Sequence, residues 1–577
     1  MSRLNLRIDT LAMQTIWCVF LLAISSAATT TGTNYTVKAG GGGNYTTIQA
    51  CASAMSAGDT CTVYAGTYNG NVTVSAGTTG NYKTITVNGT DVVNVSGEFT
   101  LNSHTKLVGN CGTAPQTLGT CGFSISGVTP TTAPCVLVND GSTDVYITSN
   151  TMASCGSGGS SGVIWMLGTN GVSYVYISGN TMTYGCGNAA SPNNCTAVFF
   201  NGDHVLIQNN DMSHFGLAIQ TYARYSVIRN NTFHNMNESE CGSSSGNCHL
   251  DIIYAERSNT AASDLVQYQL WEGNTGNTIT GPDGKGLWTA ADNPDGCGTS
   301  CFNVIGRFNV LAHFGSTVMA QTSGFENVKY YNNDVIDPGT SAHGSNATVG
   351  GYLDDTSPGG AIINNLYYFP FSIASSWGWF GYSLNSSGDA TGFTAGANLA
   401  FCSSSPCDIQ TLRNGSTAYS WTSDTPVIAS NILTSTDPLT NYSGGNFSLA
   451  SGSAAIAAGT YLTTVGSGDS GSGTSLVVTD AAFFQDGLGL NAAGVQADCI
   501  SVTTVSNHVC ITAVNYSTNT LTMANGFSRS HGDPIWLYSK SDGTQVLTGS
   551  APNIGATFTG TSSGNPAPPT GLSAVVN

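Results

Sequence analysis

A short phrase recurs along the chain: a few residues of apolar alternation, an Asn, then a turn. It reads VYITSNTM at Asn150, VYISGNTM at Asn180, VLIQNNDM at Asn210 and SVIRNNTF at Asn231, and returns at Asn309, Asn333, Asn365 and Asn431. Several spacings fall between 20 and 35 residues, the period of a solenoid in which each repeat makes one coil. Alternation with period two predicts a few short strands per coil, joined by Gly, Ser and Asn turns. Stacked at about 4.8 Å, roughly 14 coils would make a rod on the order of 70 Å long. The repeated Asn residues read as structural. Asn tolerates left-handed turns, and stacked amides hydrogen-bond along a solenoid.

The stretch YTVKAGGGGNYTTIQACASAMSAGDTCTVYAGTYNGNVTV, Tyr35 to Val74, resembles the opening of secreted right-handed parallel β-helix proteins of the pectate-lyase-like superfamily. The resemblance implies that Thr-Ile-Gln begins a capping helix and that Ala-Gly-Asp-Thr leads into the first coil. GGNFSLASGSAAIAAGT, Gly444 to Thr460, resembles the end of such a domain, and APNIGATF, Ala551 to Phe558, its last strand. The implied fold is all-β, a right-handed parallel β-helix with a small C-terminal β-domain. This fold hosts lyases, hydrolases, epimerases and adhesins, so it does not name the chemistry. The pectate-lyase Trp-Ile-Asp-His motif is absent. Of the polygalacturonase set, Ala342-His343-Gly344 precedes Asp354-Asp355 instead of following it.

Between Thr460 and Ala551, a Gly/Ser linker leads into SLVVTD, CISVTTV, VCITAVN, TLTMAN and PIWLYSK, which read as short strands. The expected division is a signal peptide at 1–28, the β-helix at 35–460, an inserted small β-domain with a closing strand at 461–559, and a Pro-rich tail at 560–577. The inserted domain is expected at one end of the rod, covering the edge of the final coil. Sugar binding is its alternative role.

Composition narrows the classes. Only 8% of residues are charged, with 32 acids against 14 bases, so no basic surface exists for a nucleic-acid backbone. An apolar content of 40% argues against disorder, and 72 Gly against a helical protein. Arg3 and Arg7 precede an apolar run from Leu11 to Ile24 and then Ser25-Ser26-Ala27-Ala28, the layout of a secretory signal. That run is shorter than the ~20 residues of a spanning helix. A secreted monomer without a transmembrane segment is expected. Of 17 cysteines, Cys18 lies in the signal. The rest fall into neighbouring pairs: Cys51/Cys61, Cys111/Cys121, Cys135/Cys155, Cys186/Cys195, Cys241/Cys248, Cys297/Cys301, Cys402/Cys407 and Cys499/Cys510. Local disulfides in an oxidising compartment follow.

Charge is scarce, so its placement carries information. Asp203 to Asp355 holds 16 of the 32 acids, 6 of the 14 bases and 6 of the 9 His. One strand per coil aligns there by apolar alternation: LAIQTYA, HLDIIYAE, GLWTAADN, STVMAQT and TVGGYLDD. In HLDIIYAE, Leu250, Ile252 and Tyr254 are expected inside, with His249, Asp251 and Ile253 outside. Neighbouring coils offer Gln220, Tyr222, Trp288 and Gln321 as sugar contacts. As catalytic candidates, His249, Asp251, Asp292 and Asp354 supply base or carboxyl groups, and Arg257, Lys285 and Arg307 supply cations or, for Lys285, a base. Asp354 and Asp355 are candidate calcium ligands. The expected partner is a polysaccharide that includes uronates. A lyase needs a base and a positive partner. A hydrolase needs two carboxyls about 5.5 Å or 6.5–9.5 Å apart. The alternative is a non-catalytic surface rod that binds glycans as an adhesin.

Overall fold

A computed structural model describes residues 32–112, 114–126, 133–155, 162–184, 196–237, 250–257, 265–281, 284–291, 301–321, 325–339, 349–354, 358–373, 380–385, 393–413, 417–422 and 427–557. These residues form two long, mainly parallel sheets, one of 26 strands and one of 13. Each coil supplies one strand to the smaller sheet. Most coils supply two to the larger, which therefore wraps two sides of the rod. We call the three sides faces 1, 2 and 3 in chain order. In one coil they are Leu250–Arg257, Gln267–Glu272 and Thr275–Thr280. The fold is the right-handed parallel β-helix expected from Tyr35 to Val74.

The helix Ile48–Ala54 begins where expected. Thr47 caps it by accepting from Ala50 N–H at 3.2 Å, and Ile48, Cys51 and Ala52 are buried beneath it. Cys51 pairs with Cys61 in the strand Thr60–Val63. The disulfides Cys111–Cys121, Cys135–Cys155, Cys402–Cys407 and Cys499–Cys510 also join the expected neighbours. Cys301 is disulfide-bonded. Cys186, Cys195, Cys241, Cys248 and Cys297 lie outside the described residues, as do the segments expected to be a signal peptide and a tail.

The recurrent Asn residues form one ladder between faces 2 and 3. It runs through Asn150, Asn180, Asn210, Asn231, Asn274, Asn309, Asn333, Asn365, Asn398 and Asn431. Each Nδ2 donates to the next Oδ1 at 2.9–3.2 Å, and each of these Oδ1 atoms also accepts the preceding ladder residue's backbone N–H, as Asn333 does for Asn309 at 3.1 Å. The left-handed residue of this turn is the one before the ladder Asn: Ser149, Asn209, Asn230, Phe308, Asn332, Asn364 and Ala397 have φ between 49° and 58°. The ladder residues satisfy buried backbone groups that no strand reaches.

The C-terminal strands form a six-stranded antiparallel sheet, Thr463–Thr464, Pro534–Ser539, Cys499–Val502, His508–Asn515, Thr520–Arg529 and Gly471–Val477 in spatial order. Its position corrects the expectation of an end cap. The module lies along the side of the middle coils, against face 2. Arg229 donates to Ser541 O (2.9 Å), Tyr331 OH to Phe483 O (2.9 Å) and Lys329 Nζ to Asp480 (2.6 Å). Face 2 supplies buried polar partners there, Arg229 and Lys329 among them. No helix among the described residues is long and apolar enough to cross a membrane.

Candidate functional site

Face 1 of the middle coils remains outside the contacts made by the C-terminal module. Its strands align Trp165, Phe199, Gln220, Tyr254 and Trp288 in one row, one residue per coil. Alternation then places the row outward. Its neighbours Ile219, Ile253 and Leu287 are fully buried in the core, whereas Trp165, Phe199 and Trp288 are half-buried. Trp165 and Phe199 meet edge to face at 4.8 Å, and Phe199 meets Tyr222 at 5.3 Å. Leu217, Tyr254 and Trp288 form a small apolar cluster of their own on this side. The ammonium of Lys285 lies 4.0 Å above the centre of the Trp288 ring, a cation–π contact.

One step along the same strands, Gln220, Tyr222 and Glu256 converge. Gln220 Nε2 donates to Glu256 Oε2 at 2.7 Å and to Tyr222 OH at 2.9 Å, and Tyr222 OH donates to Glu256 Oε2 at 2.9 Å. The three are 8%, 9% and 8% exposed, low enough that the geometry is held by packing. At the corner toward face 2, Asp203 accepts from His204 at 2.9 Å and from Arg224 at 3.4 Å. The His204 bond, which outweighs burial, holds that carboxyl below the ordinary range, so Asp203 is a fixed negative charge rather than a proton donor.

Of the residues named from the sequence, Gln220, Tyr222, Lys285 and Trp288 lie on this face. Glu256, Tyr254, Phe199 and Trp165 join them without having been anticipated. The cause is a break in alternation that neighbouring coils share: Val163 with Ile164, Ala197 with Val198, Ala218 with Ile219, and Ile252 with Ile253 are adjacent pairs in the core. Ile252 and Ile253 both enter the core, so the alternation read from Leu250 fails at this point and every later residue changes face. Leu250 and Ile252 are buried as expected, but Ile253 points in and Tyr254 out. The composition row Phe199, Gln220, Tyr254, Trp288 was the signal that could have located the break.

Two candidates need correction. Asp251, expected to be exposed, is fully buried, in register with Leu217 and Lys285. Arg307, expected near the groove, lies on face 2 under the C-terminal module and is fully buried. Its Nε donates to Glu272 (2.7 Å), and its terminal nitrogens bond Asp498 at 2.8 and 2.6 Å. Burial opposes its charge, yet Asp498 and Glu272 outweigh that and hold the guanidinium firmly protonated. His249, Asp292 and Asp355 lie outside the described residues. Arg257, Gln321 and Asp354 are placed by backbone alone, paired with Ala291, Thr289 and Asn385. Among the described residues, no group of three or more His, Cys, Asp or Glu is arranged to hold a metal. Of the expected calcium ligands, Asp355 and the side chain of Asp354 lie outside what is described, and no step below is routed through calcium.

No protein-family model and no curated protein matches the chain. Among solved structures, XylC in its complex with xylose aligns over 87% of this chain and 100% of its own at 11% identity, with a TM-score of 0.42. An alginate lyase from Paenibacillus sp. str. FPU-7 aligns over 64% and 95% at 14% identity, TM-score 0.28. The Streptococcus pneumoniae surface protein and adhesin PfbA aligns over 64% and 94% at 12% identity, TM-score 0.39.

Proposed function

We propose that face 1 is a polysaccharide-binding groove and that the protein is a secreted enzyme cleaving an extracellular, uronate-containing polysaccharide, with Glu256 as its acid–base group. One observation carries this reading: an outward aromatic and amide row that follows the rod axis passes directly beside a carboxylate held by a phenol and a carboxamide. Aromatic rings take the apolar faces of sugars, and buried amides fix their hydroxyls. A chain lying along the row would meet a new contact every coil, about 4.8 Å apart.

The group set suits lyase chemistry. Glu256 takes the proton alpha to the uronate carboxylate, and Tyr222, bonded to it, carries a proton toward the leaving oxygen. Lys285 neutralises the substrate's acid group. Hydrolysis would require a second carboxyl at about 5.5 Å or 6.5–9.5 Å from Glu256. Asp292, two residues beyond Ala290, the register partner of Glu256, is the candidate in the sequence. The five disulfides with both cysteines among the described residues are compatible with an extracellular site of action.

The test is a screen of the secreted protein against acidic and neutral polysaccharides, reading both unsaturated-uronate absorbance and new reducing ends. Glu256→Gln is expected to lower turnover on the order of 10²-fold or more with the thermal midpoint nearly unchanged. Full turnover in that variant sinks the assignment. A second reading, binding without turnover, is favoured by the mutual hydrogen bonding of Gln220, Tyr222 and Glu256. Its signature is saturable binding with no product from any polysaccharide.

A further inference from the structure

At the corner between faces 1 and 2, successive coils place one residue each in left-handed backbone and in register: His204, Tyr225, Tyr268, Asn303, Asn327 and Gly359, with φ of 53°, 50°, 53°, 59°, 54° and 74°. The first three stack, His204 on Tyr225 at 5.2 Å and Tyr225 on Tyr268 at 4.9 Å. The next three shrink from carboxamide to no side chain at all. A cleft of about 450 Å³ opens where they shrink, walled on the other side by Tyr516 and Asn519 of the C-terminal module and closed by Phe393. That volume lies within the ~300–1,000 Å³ of small-ligand sites.

The lining is specific in character. Asn303 is 4% exposed, and its carboxamide oxygen has no donor among the described residues. A buried acceptor of this kind is costly unless something supplies a donor. Asn519 accepts Ala481 N–H at 3.0 Å, which fixes its amide. The one carboxylate, Asp480, is matched by Lys329 at 2.6 Å, so the cleft has no uncompensated charge to attract an ion. Amides offering donors and acceptors beside aromatic edges match a hydroxyl-rich, uncharged ring.

We infer that this cleft is a second saccharide site, for one or two neutral sugar residues, formed jointly by the rod and the C-terminal module and separate from the face 1 groove. The module then has a role beyond covering face 2: it completes a binding site that the rod's corner only half builds.

Calorimetric titration of the full chain carrying Glu256→Gln and Trp288→Ala tests this, with cellotetraose, xylotetraose, maltotetraose and mannotetraose as probes. At least one is expected to bind one-to-one. Thr479→Trp, at an exposed position on the cleft rim, is expected to abolish that binding with the thermal midpoint retained. Asn303→Ala is expected to weaken it about tenfold. If Asn303→Ala does not fold, Thr479→Trp decides alone. The inference is overturned if none of the four binds with Kd below about 10 mM, or if binding persists in folded Thr479→Trp.

Discussion

Glu256, next to last in its strand, and Glu272, last in the following one, belong to the same coil, on faces 1 and 2. Each accepts several hydrogen bonds, and each is nearly or wholly buried. Their partners differ in kind. Glu256 meets a phenol and a carboxamide beside an aromatic row. Glu272 meets Arg307 at 2.6 Å and the hydroxyl of Ser541, from a module that covers it. The first carboxylate accepts from two neutral groups, Gln220 and Tyr222. The second is part of a closed ion network with Asp498. Residue type and strand position do not separate these roles. What lies over each face does, because a covering domain turns a charge into a docking element and excludes substrate.

Removing one member of the closed network should cost most. Arg307→Met leaves Glu272 and Asp498 buried without their cation, and denaturant unfolding should report a loss of about 3–5 kcal/mol. Glu256→Gln should hardly move the same transition. Equal losses in the two variants would erase the distinction between the faces.

A pH series sharpens the covered side. Asp334 accepts Ala556 N–H at 2.9 Å from the closing segment, and burial pushes its carboxyl up to about 7. An unfolded Asp ionises near pH 4. Between about pH 4 and 7 the native state therefore binds one proton more than the unfolded state, and stability falls as pH rises through that window, then levels off. Asp334→Asn should flatten this part of the profile. An unchanged slope would assign the titration to another group.

The smallest expected effect lies on the open side. Trp288→Ala should weaken polysaccharide binding about tenfold and leave the unfolding transition within about 1 kcal/mol. A larger stability loss than binding loss would make the aromatic row part of the core rather than a sugar platform.

Much of the architecture was legible in the residues. The recurring Asn marked a ladder whose members lie 21 to 43 residues apart, and neighbouring cysteines found one another because a solenoid keeps chain neighbours on the same or adjacent coils. Asn274 and Asn398 escaped notice because their flanking alternation is irregular. Gln220 and Tyr222 were also legible, because the alternation after the break is regular, with Ile219 and Ala223 inside. Glu256 was missed because two adjacent isoleucines both enter the core, a choice made by packing space and not by pattern.

The sequence by itself determined the repeat, the inward residues of most strands, the capping helix and the local disulfide pairing. All of these are set within one coil or between neighbouring coils, where periodicity is a physical signal. Tertiary structure alone decided which face the C-terminal module covers. Arg307 and Asp498 meet across 191 residues, and no local pattern records that the C-terminal module lies along the side of the rod rather than over its end. The same docking decides that Arg307 is a buried counter-ion and that Asn303 lines a cleft. Each outcome depends on desolvation by a distant segment, and burial of that kind is a property of the assembled surfaces.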